Sequence, residues 1–337
     1  MTNRNSILLI FVFFALCSCN APDKTGFENY VRCIHDSECL SLGVDIQVKD
    51  MDIVGDELIV LSTRAPFIYK FDMNSWMMSK SFGTVGRARN EFLSPPGPLN
   101  IRNGRLQYYD MLRKALNYVS LETMEIEVYN RMPYTVDFRP TSALDVDSNL
   151  IAGGYFSESR LGYMRDGVIS AEIFDYPYPT GDVEGIYRGT VYQSELKAPH
   201  TRNGVLVRTL CSDSFELYAI EEDSLVRTYV HQYNYLPKVV NFGGRFGVDF
   251  KKSVSGYIRS YVTDERIYLL WSDQVYSDVS ANGLYSDIIH VFDWNGQNVE
   301  NYALPYKIAA FCVSGSSIYA VREYDDGTKV VKMSIER

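Results

Sequence analysis

The chain has 337 residues, 46% of them hydrophobic and 22% charged, so it is long enough for a large core, and its 26 Tyr and 17 Phe favour strands over helices. A formal charge of −9 leaves no electrostatic footprint for nucleic acid, and no Lys/Arg-rich run supplies one. The expected class is all-β, with no nucleic-acid partner.

After Met1 to Asn5 comes the apolar run Ile7 to Leu16, too short to span a bilayer and the right size for the core of a secretory signal. It ends in Leu16-Cys17-Ser18-Cys19, with an apolar residue three places before Cys19 and a small one just before it. This resembles the bacterial lipobox, and the resemblance implies a lipoprotein signal peptide over residues 1–18, acylation of Cys19, and a lipidated tether over 19–29. An ordinary signal peptide with an incidental cysteine is the competing reading. Several acyl chains anchor stably where one binds marginally. The rest of the sequence has no apolar stretch long enough to span a bilayer, so lipid is the one membrane attachment expected. Asn20 is not the Asp that some bacteria read as inner-membrane retention. The expected location is therefore the outer membrane of a Gram-negative bacterium, with the leaflet open.

Beyond the tether, Cys33 and Cys39 have the spacing of a small disulfide loop in an oxidising compartment, and free thiols are the alternative. Cys211 and Cys312 read as small buried hydrophobes. No Cys-x-x-Cys occurs, and His35, His200, His231 and His290 are isolated, so zinc is not indicated.

Six short polar turns then recur, roughly 45 to 60 residues apart. They are Gly55-Asp56-Glu57, Asn103-Gly104-Arg105, Asp147-Ser148-Asn149, Arg202-Asn203-Gly204, Thr263-Asp264-Glu265 and Ser314-Gly315-Ser316. Each separates short apolar runs rich in β-branched and aromatic residues, as in Met51 to Val54 and Leu58 to Leu61. The step is the length of one four-stranded blade, which predicts a six-bladed β-propeller over residues 30–337, with a two-sheet sandwich as the competing architecture. The last unit supplies three strands before Arg337. The expectation is that Val44 to Val48 provides the fourth and latches the ring, with Phe27 to Leu42 as an entry strap.

Connections between first and second strands, and between third and fourth, are tight. Long ones fall at Gly83 to Pro98, Gly153 to Gly162, Tyr176 to Pro199, Asn234 to Ser253 and Ser272 to Asp287. In an up-and-down blade these emerge on one face of the ring, which becomes the expected functional surface.

The segment Phe82-Gly83-Thr84-Val85-Gly86-Arg87-Ala88-Arg89-Asn90-Glu91-Phe92, followed by Pro95-Pro96, resembles the Gly-x-x-Gly-x-Gly-Pro-Gly-Glu-Phe stretch of bacterial lipoproteins with TolB-like six-bladed propellers. Leu217 to Glu221, Tyr268 to Ser272 and Val291 to Gly296 add to the likeness. Ala88, Arg89 and Asn90 replace the usual Gly-Pro-Gly. The resemblance implies the fold and the anchoring, and no established activity.

The residues expected on the ligand face are Arg64, Arg87, Arg89, Glu91, Arg113, Tyr178, Tyr187 and Asp273. The glycine loop with Arg87 and Arg89 has the makings of an anion cradle. Against this, Gly83 and Gly86 also suit a crossing that needs positive φ, with Phe92 packed between them. Tyr176-Pro177-Tyr178-Pro179 is the aromatic stretch hardest to place in a core, and so the best exposed candidate for a sugar or protein ligand. No Gly-x-Ser-x-Gly, no Gly-Lys-Ser/Thr loop and no Ser-x-Asp-x-Gly-x-Thr-Trp turn occurs. The expectation is a monomeric binding or scaffolding module for a protein or glycan, without cofactor. The alternative is a metal-assisted hydrolase or lyase using Glu158, Asp182, Glu184, Asp213 and Asp273 at the channel opening.

Overall fold

The computed structural model describes residues 30–43, 46–88, 90–157, 159–165, 168–173, 175–222, 224–281, 284–325 and 327–336. The expected signal peptide, Cys19 and the tether lie outside these residues, as do Arg89 and Glu158.

Five antiparallel four-stranded units follow in chain order. Blade 1 comprises Val48–Val54, Glu57–Ser62, Ile68–Asp72 and Met77–Phe82. Blade 2 comprises Asn100–Arg102, Arg105–Asp110, Ala115–Ser120 and Ile126–Arg131, and blade 3 Phe138–Val146, Asn149–Phe156, Leu161–Arg165 and Val168–Ile173. Blade 4 comprises Ser194–Lys197, Gly204–Thr209, Phe215–Glu221 and Ser224–Val230, and blade 5 Val254–Val262, Arg266–Val275, Ser286–Asp293 and Asn298–Ile308. Blade 6 has Phe311–Ser314, Ser317–Tyr324 and Gly327–Ile335 from the C-terminal end and Tyr30–Gly43 from the N-terminal end.

Strand alternation explains why the middle strands are apolar without interruption. Successive side chains point to opposite faces, and in a ring both faces of a blade meet a neighbour. In Glu57–Ser62, Leu58 and Val60 join the cluster shared with blade 6, while Ile59 and Leu61 join Leu106 and Tyr108 of blade 2. Val205 and Val207 pack with blade 3, and Leu206 between them packs with Trp271 and Phe292 of blade 5. Tyr109 and Leu116 of blade 2 meet Ala143 and Leu150 of blade 3. The clusters thus run round the ring, and the largest joins blades 5, 6 and 1. Each fully buried Val, Leu or Ile in them contributes about 1.5–3 kcal/mol.

The closing strand differs from the expectation. It is Tyr30–Gly43, paired antiparallel with Gly327–Ile335 from Cys33 opposite Ile335 to Gly43 opposite Thr328. Its first residues also run parallel to blade 5, Tyr30 opposite Asn301 and Arg32 opposite Ala303, so it stitches blades 5 and 6 into one sheet. Val48 instead opens blade 1, and Val44 and Asp45 lie outside the described residues. The segment read as a strap is itself the latch, and it covers an edge that would otherwise template aggregation. Cys33 and Cys39 lie along this one strand, about 20 Å apart at strand rise, far beyond disulfide reach. All four described cysteines are free thiols, with Cys33, Cys211 and Cys312 buried.

The long connections carry small elements of their own. Tyr187–Val191 and Tyr276–Ala281 are short helices, Val239–Asn241 pairs with Phe246–Val248, and Thr84–Val85 pairs with Glu91–Phe92. The first strand of blade 4, Ser194–Lys197, sits inside what reads as a loop.

Candidate functional site

The six polar turns do lie between first and second strands, but the one in blade 4 is longer than its sequence implies. Residues 198–203 leave Lys197 and cross the central channel. Lys197 Nζ donates to Asp50 Oδ2 of blade 1 at 2.5 Å and to the Leu99 carbonyl at 2.8 Å. Asn100 exchanges bonds with Leu196 O and Ala198 N, and Arg102 donates to the carbonyls of Pro199 and Arg202 at 2.7 and 2.8 Å. His200 donates to Asp52, which also accepts from Tyr261, and Thr201 and Arg202 cap Asp264 of blade 5. One segment is thereby tied to blades 1, 2 and 5. It makes the channel a cup that opens toward the loop-rich face.

Ion pairs form the floor and wall of the cup. Asp50 is buried, and burial pushes its carboxyl up against the opposing pull of Lys197. Glu195 accepts from Arg208 Nη2 at 3.0 Å and from Ser260 Oγ at 2.6 Å. Burial alone would raise Glu195, but the charges of Arg208 and Lys197 overcome it and bring the group to about 2. Above these pairs is a cavity of about 400 Å³, with Lys49 and Arg259 on its wall and Pro95, Pro98 and Leu284 as apolar sides. A second lobe of about 300 Å³ adjoins it at Pro98 and Glu195. A larger cavity, about 720 Å³, opens elsewhere, between blades 1 and 2 on the turn side. Its Lys70 and Glu57 already pair at 2.6 Å, which leaves it less to offer a ligand than the smaller cup.

The backbone delivers both cup cations. Val48 faces Ser62 and Asp50 faces Leu61, so Lys49 is an extra residue in the first strand of blade 1. Tyr257 faces Trp271 and Arg259 faces Leu270, which places a bulge at Ile258 immediately before Arg259. Bulges re-aim side chains and are over-represented beside functional sites. None of these residues stood out in the sequence. The signal available was a charge at a first-strand position: Lys49-Asp50, Glu195 with Lys197, and Arg259.

The expected ligand-face residues divide into three groups. Arg87, Glu91 and Arg113 are brought together: Arg113 donates to the Glu91 carbonyl at 3.0 Å, and Arg87 and Arg113 line one hollow with Arg131. The anion cradle is a correction, because Glu91 itself fills it. Its carboxylate accepts from Ala88 N at 2.7 Å, and a Cβ on Gly86 would lie 1.9 Å from Glu91 Oε2. Gly83 has φ of +92° against the ring of buried Phe92, and Asn90, at +67°, supplies the left-handed residue where the resembled motif has glycine.

Tyr178 is also corrected. It is 5% exposed, its hydroxyl lies 3.0 Å from Thr209 Oγ1, and its ring packs on Tyr192 and Tyr233. Buried Arg160 sits over the same cluster, bonded to Glu216, Tyr192 O and Thr209. Two prolines do not keep an aromatic out of a core when a hydroxyl satisfies its polar tip and a guanidinium packs over its ring. Tyr187 is half-buried against Phe246. Arg64 and Asp273 are exposed on the second-to-third-strand side of blades 1 and 5. Asp213, an expected metal ligand, instead holds the backbone N–H groups of Asn234 and Tyr235. Among the described residues no three His, Cys, Asp or Glu side chains gather as a metal site.

Five exposed apolar side chains lie on three neighbouring connections of the loop-rich face, and Val239, Phe242 and Phe250 lie on the connection between blades 4 and 5. Val85, Met111, Leu112, Tyr134 and Val136 are all at least 45% exposed. Those three connections are joined to each other by the Arg113 bond to Glu91 and by Lys114, whose Nζ lies 4.1 Å over the Tyr134 ring.

The family match and one solved structure agree with this architecture. The fold is similar to that of a Bacteroides fragilis protein described as exported, at 13% identity, over 92% of this chain and 95% of that one, with a TM-score of 0.57. The β-propeller domain of Cps50 (Swd1) from Myceliophteria thermophila is similar over 90% of this chain and 99% of its own, at 10% identity and a TM-score of 0.49. No curated protein matches the chain. The family described as TolB-like 6-blade propeller-like matches residues 39–316, and the chain belongs to that family of six-bladed propellers.

Proposed function

We propose that this protein is a lipid-anchored cell-envelope module that binds a protein or glycan on its loop-rich face. The observation that carries the reading is the exposure of Val85, Met111, Leu112, Tyr134 and Val136 on connections that a rigid ring holds in place, with a hollow lined by Arg87, Arg113 and Arg131 among the same blades. Apolar anchors with arginines nearby are the composition of a recognition surface. The signal-like residues 1–18, the lipobox-like approach to Cys19 and the exported character of the similar Bacteroides fragilis protein support an envelope location at the outer membrane.

The test compares two paired variants, each folded as judged by melting temperature. Leu112→Asp with Val136→Asp alters the loop-rich face, and Met77→Asp with Met78→Asp alters an equally exposed pair on the outer strand of blade 1. In pull-downs from the envelope fraction and on a glycan array, the first pair abolishes capture of whatever the native protein retains and the second does not. Equal capture by both pairs would remove the reading.

A further inference from the structure

The structure assigns a second ligand site to the cup: we propose that it binds an acidic sugar, its carboxylate held by Arg259 and Lys49 and its hydroxyls by the adjoining lobe. This rests on the loop-rich face being the ligand face, but not on the outer apolar patch, which shares no residue with the cup.

Charge comes first. Around the cup stand Lys49, Lys197, Arg208 and Arg259 against Asp50 and Glu195. Lys197 and Arg208 are committed to the two carboxylates. Lys49 donates to the Pro96 carbonyl at 2.8 Å and Arg259 to the carbonyl of Ile258, so neither charge has an ion-pair partner among the described residues. Arg259 Nε is buried with no hydrogen-bond partner at all. A buried guanidinium left short of acceptors costs free energy until an acceptor arrives, and a carboxylate meets its fork with two parallel bonds. The bulges that turn Lys49 and Arg259 inward sit on facing first strands, from blades 1 and 5.

The body of the ligand follows from the walls. Pro95, Pro98 and Leu284 exclude water on one side, and Ser142, Gln193 and Ser194 are among the residues that line the second lobe. Thr141, the bulged residue of the first strand of blade 3, opens into the same lobe. Polar residues around a partly apolar hollow match a compact molecule carrying several hydroxyls. A phosphate fits less well. Its second charge would face Asp50 and Glu195.

The experiment is isothermal titration of the full mature protein with D-glucuronate, N-acetylneuraminate, a glucuronate-terminated oligosaccharide, D-glucose and inorganic phosphate. Saturable binding of at least one of the free sugar acids is expected, with none for glucose. If the oligosaccharide binds more tightly than the free acid, the source is a glycan end; if less, a free sugar acid. Arg259→Gln weakens binding by at least about tenfold, Lys49→Gln weakens it by less, and Arg259→Lys restores part of it. Leu112→Asp with Val136→Asp leaves it unchanged, which separates this site from the outer patch. Phosphate binding without sugar-acid binding, no binding of either, or equal affinity in Arg259→Gln that retains the native melting temperature would each overturn the proposal.

Discussion

Truncating Tyr178 separates a ligand contact from a structural one. The residue is 5% exposed, with ring centroids of Tyr192 at 5.0 Å and Tyr233 at 5.8 Å and a hydroxyl 3.0 Å from Thr209 Oγ1. Removing a buried aromatic ring costs about 3–5 kcal/mol. Removing the hydroxyl alone costs about 1 kcal/mol, because Thr209 Oγ1 still accepts from Arg160 Nη2 at 2.8 Å. Tyr178→Phe should therefore lose about 1 kcal/mol and Tyr178→Ala about 4 kcal/mol. Urea unfolding followed by both tryptophan fluorescence and far-ultraviolet dichroism, with coincident transitions and unchanged slope, reads these values directly. An exposed ligand contact would move stability by no more than about 0.5 kcal/mol. A loss below about 1 kcal/mol for Tyr178→Ala would refute the placement of this ring in the core.

Other outcomes follow from the same geometry. Gly256 has φ of +62°, and a Cβ there would meet the Ser212 carbonyl oxygen at 2.0 Å, so Gly256→Ala should lose more than about 2 kcal/mol of unfolding free energy, whereas Gly55→Ala, which meets nothing within 4 Å, should lose about 1. The hydrogen bond to Asp52 raises His200 above its ordinary value, with burial opposing. A folded-state rise means the contribution is complete below the unfolded pKa of about 6.5 and is lost as pH climbs through the folded value. The melting temperature of the native protein should therefore fall across that upper window, and His200→Gln should flatten the fall. Cys19→Ser should abolish metabolic labelling with palmitate and release the protein from the membrane fraction.

The ring was legible because its middle strands are buried on both faces. Runs such as Leu58 to Leu61 and Leu269 to Trp271 must be apolar throughout, and polar turns punctuate them at blade spacing. The closing strand was not, because it lies on an outer edge. Tyr30–Gly43 exposes Asp36 and Glu38 to Lys332 and Lys329 and packs Val31, Cys33, Leu40 and Leu42 on the core, but register shifts between these residues break its apolar alternation. The first strand of blade 4 was hidden for a related reason. Ser194–Lys197 carries Glu195 and Lys197 because they pair with Arg208 and Asp50, and the Lys197 pairing, across 147 residues, leaves no local trace. Glu91 filling its own loop is of the same kind. The glycines announce a close approach, and the approaching group comes from within the loop itself.

Site-specific photo-crosslinking in living cells tests the central claim, that ligand is held on the loop-rich face, most directly. A benzophenone amino acid is placed in turn at Leu112 and Val136, and at Met77 and Val299 on outer strands away from those connections, all four being exposed. The account predicts discrete adducts from Leu112 and Val136, and none from Met77 or Val299. Adducts confined to Met77 or Val299, or irradiated Leu112 and Val136 proteins that remain unmodified, would contradict it.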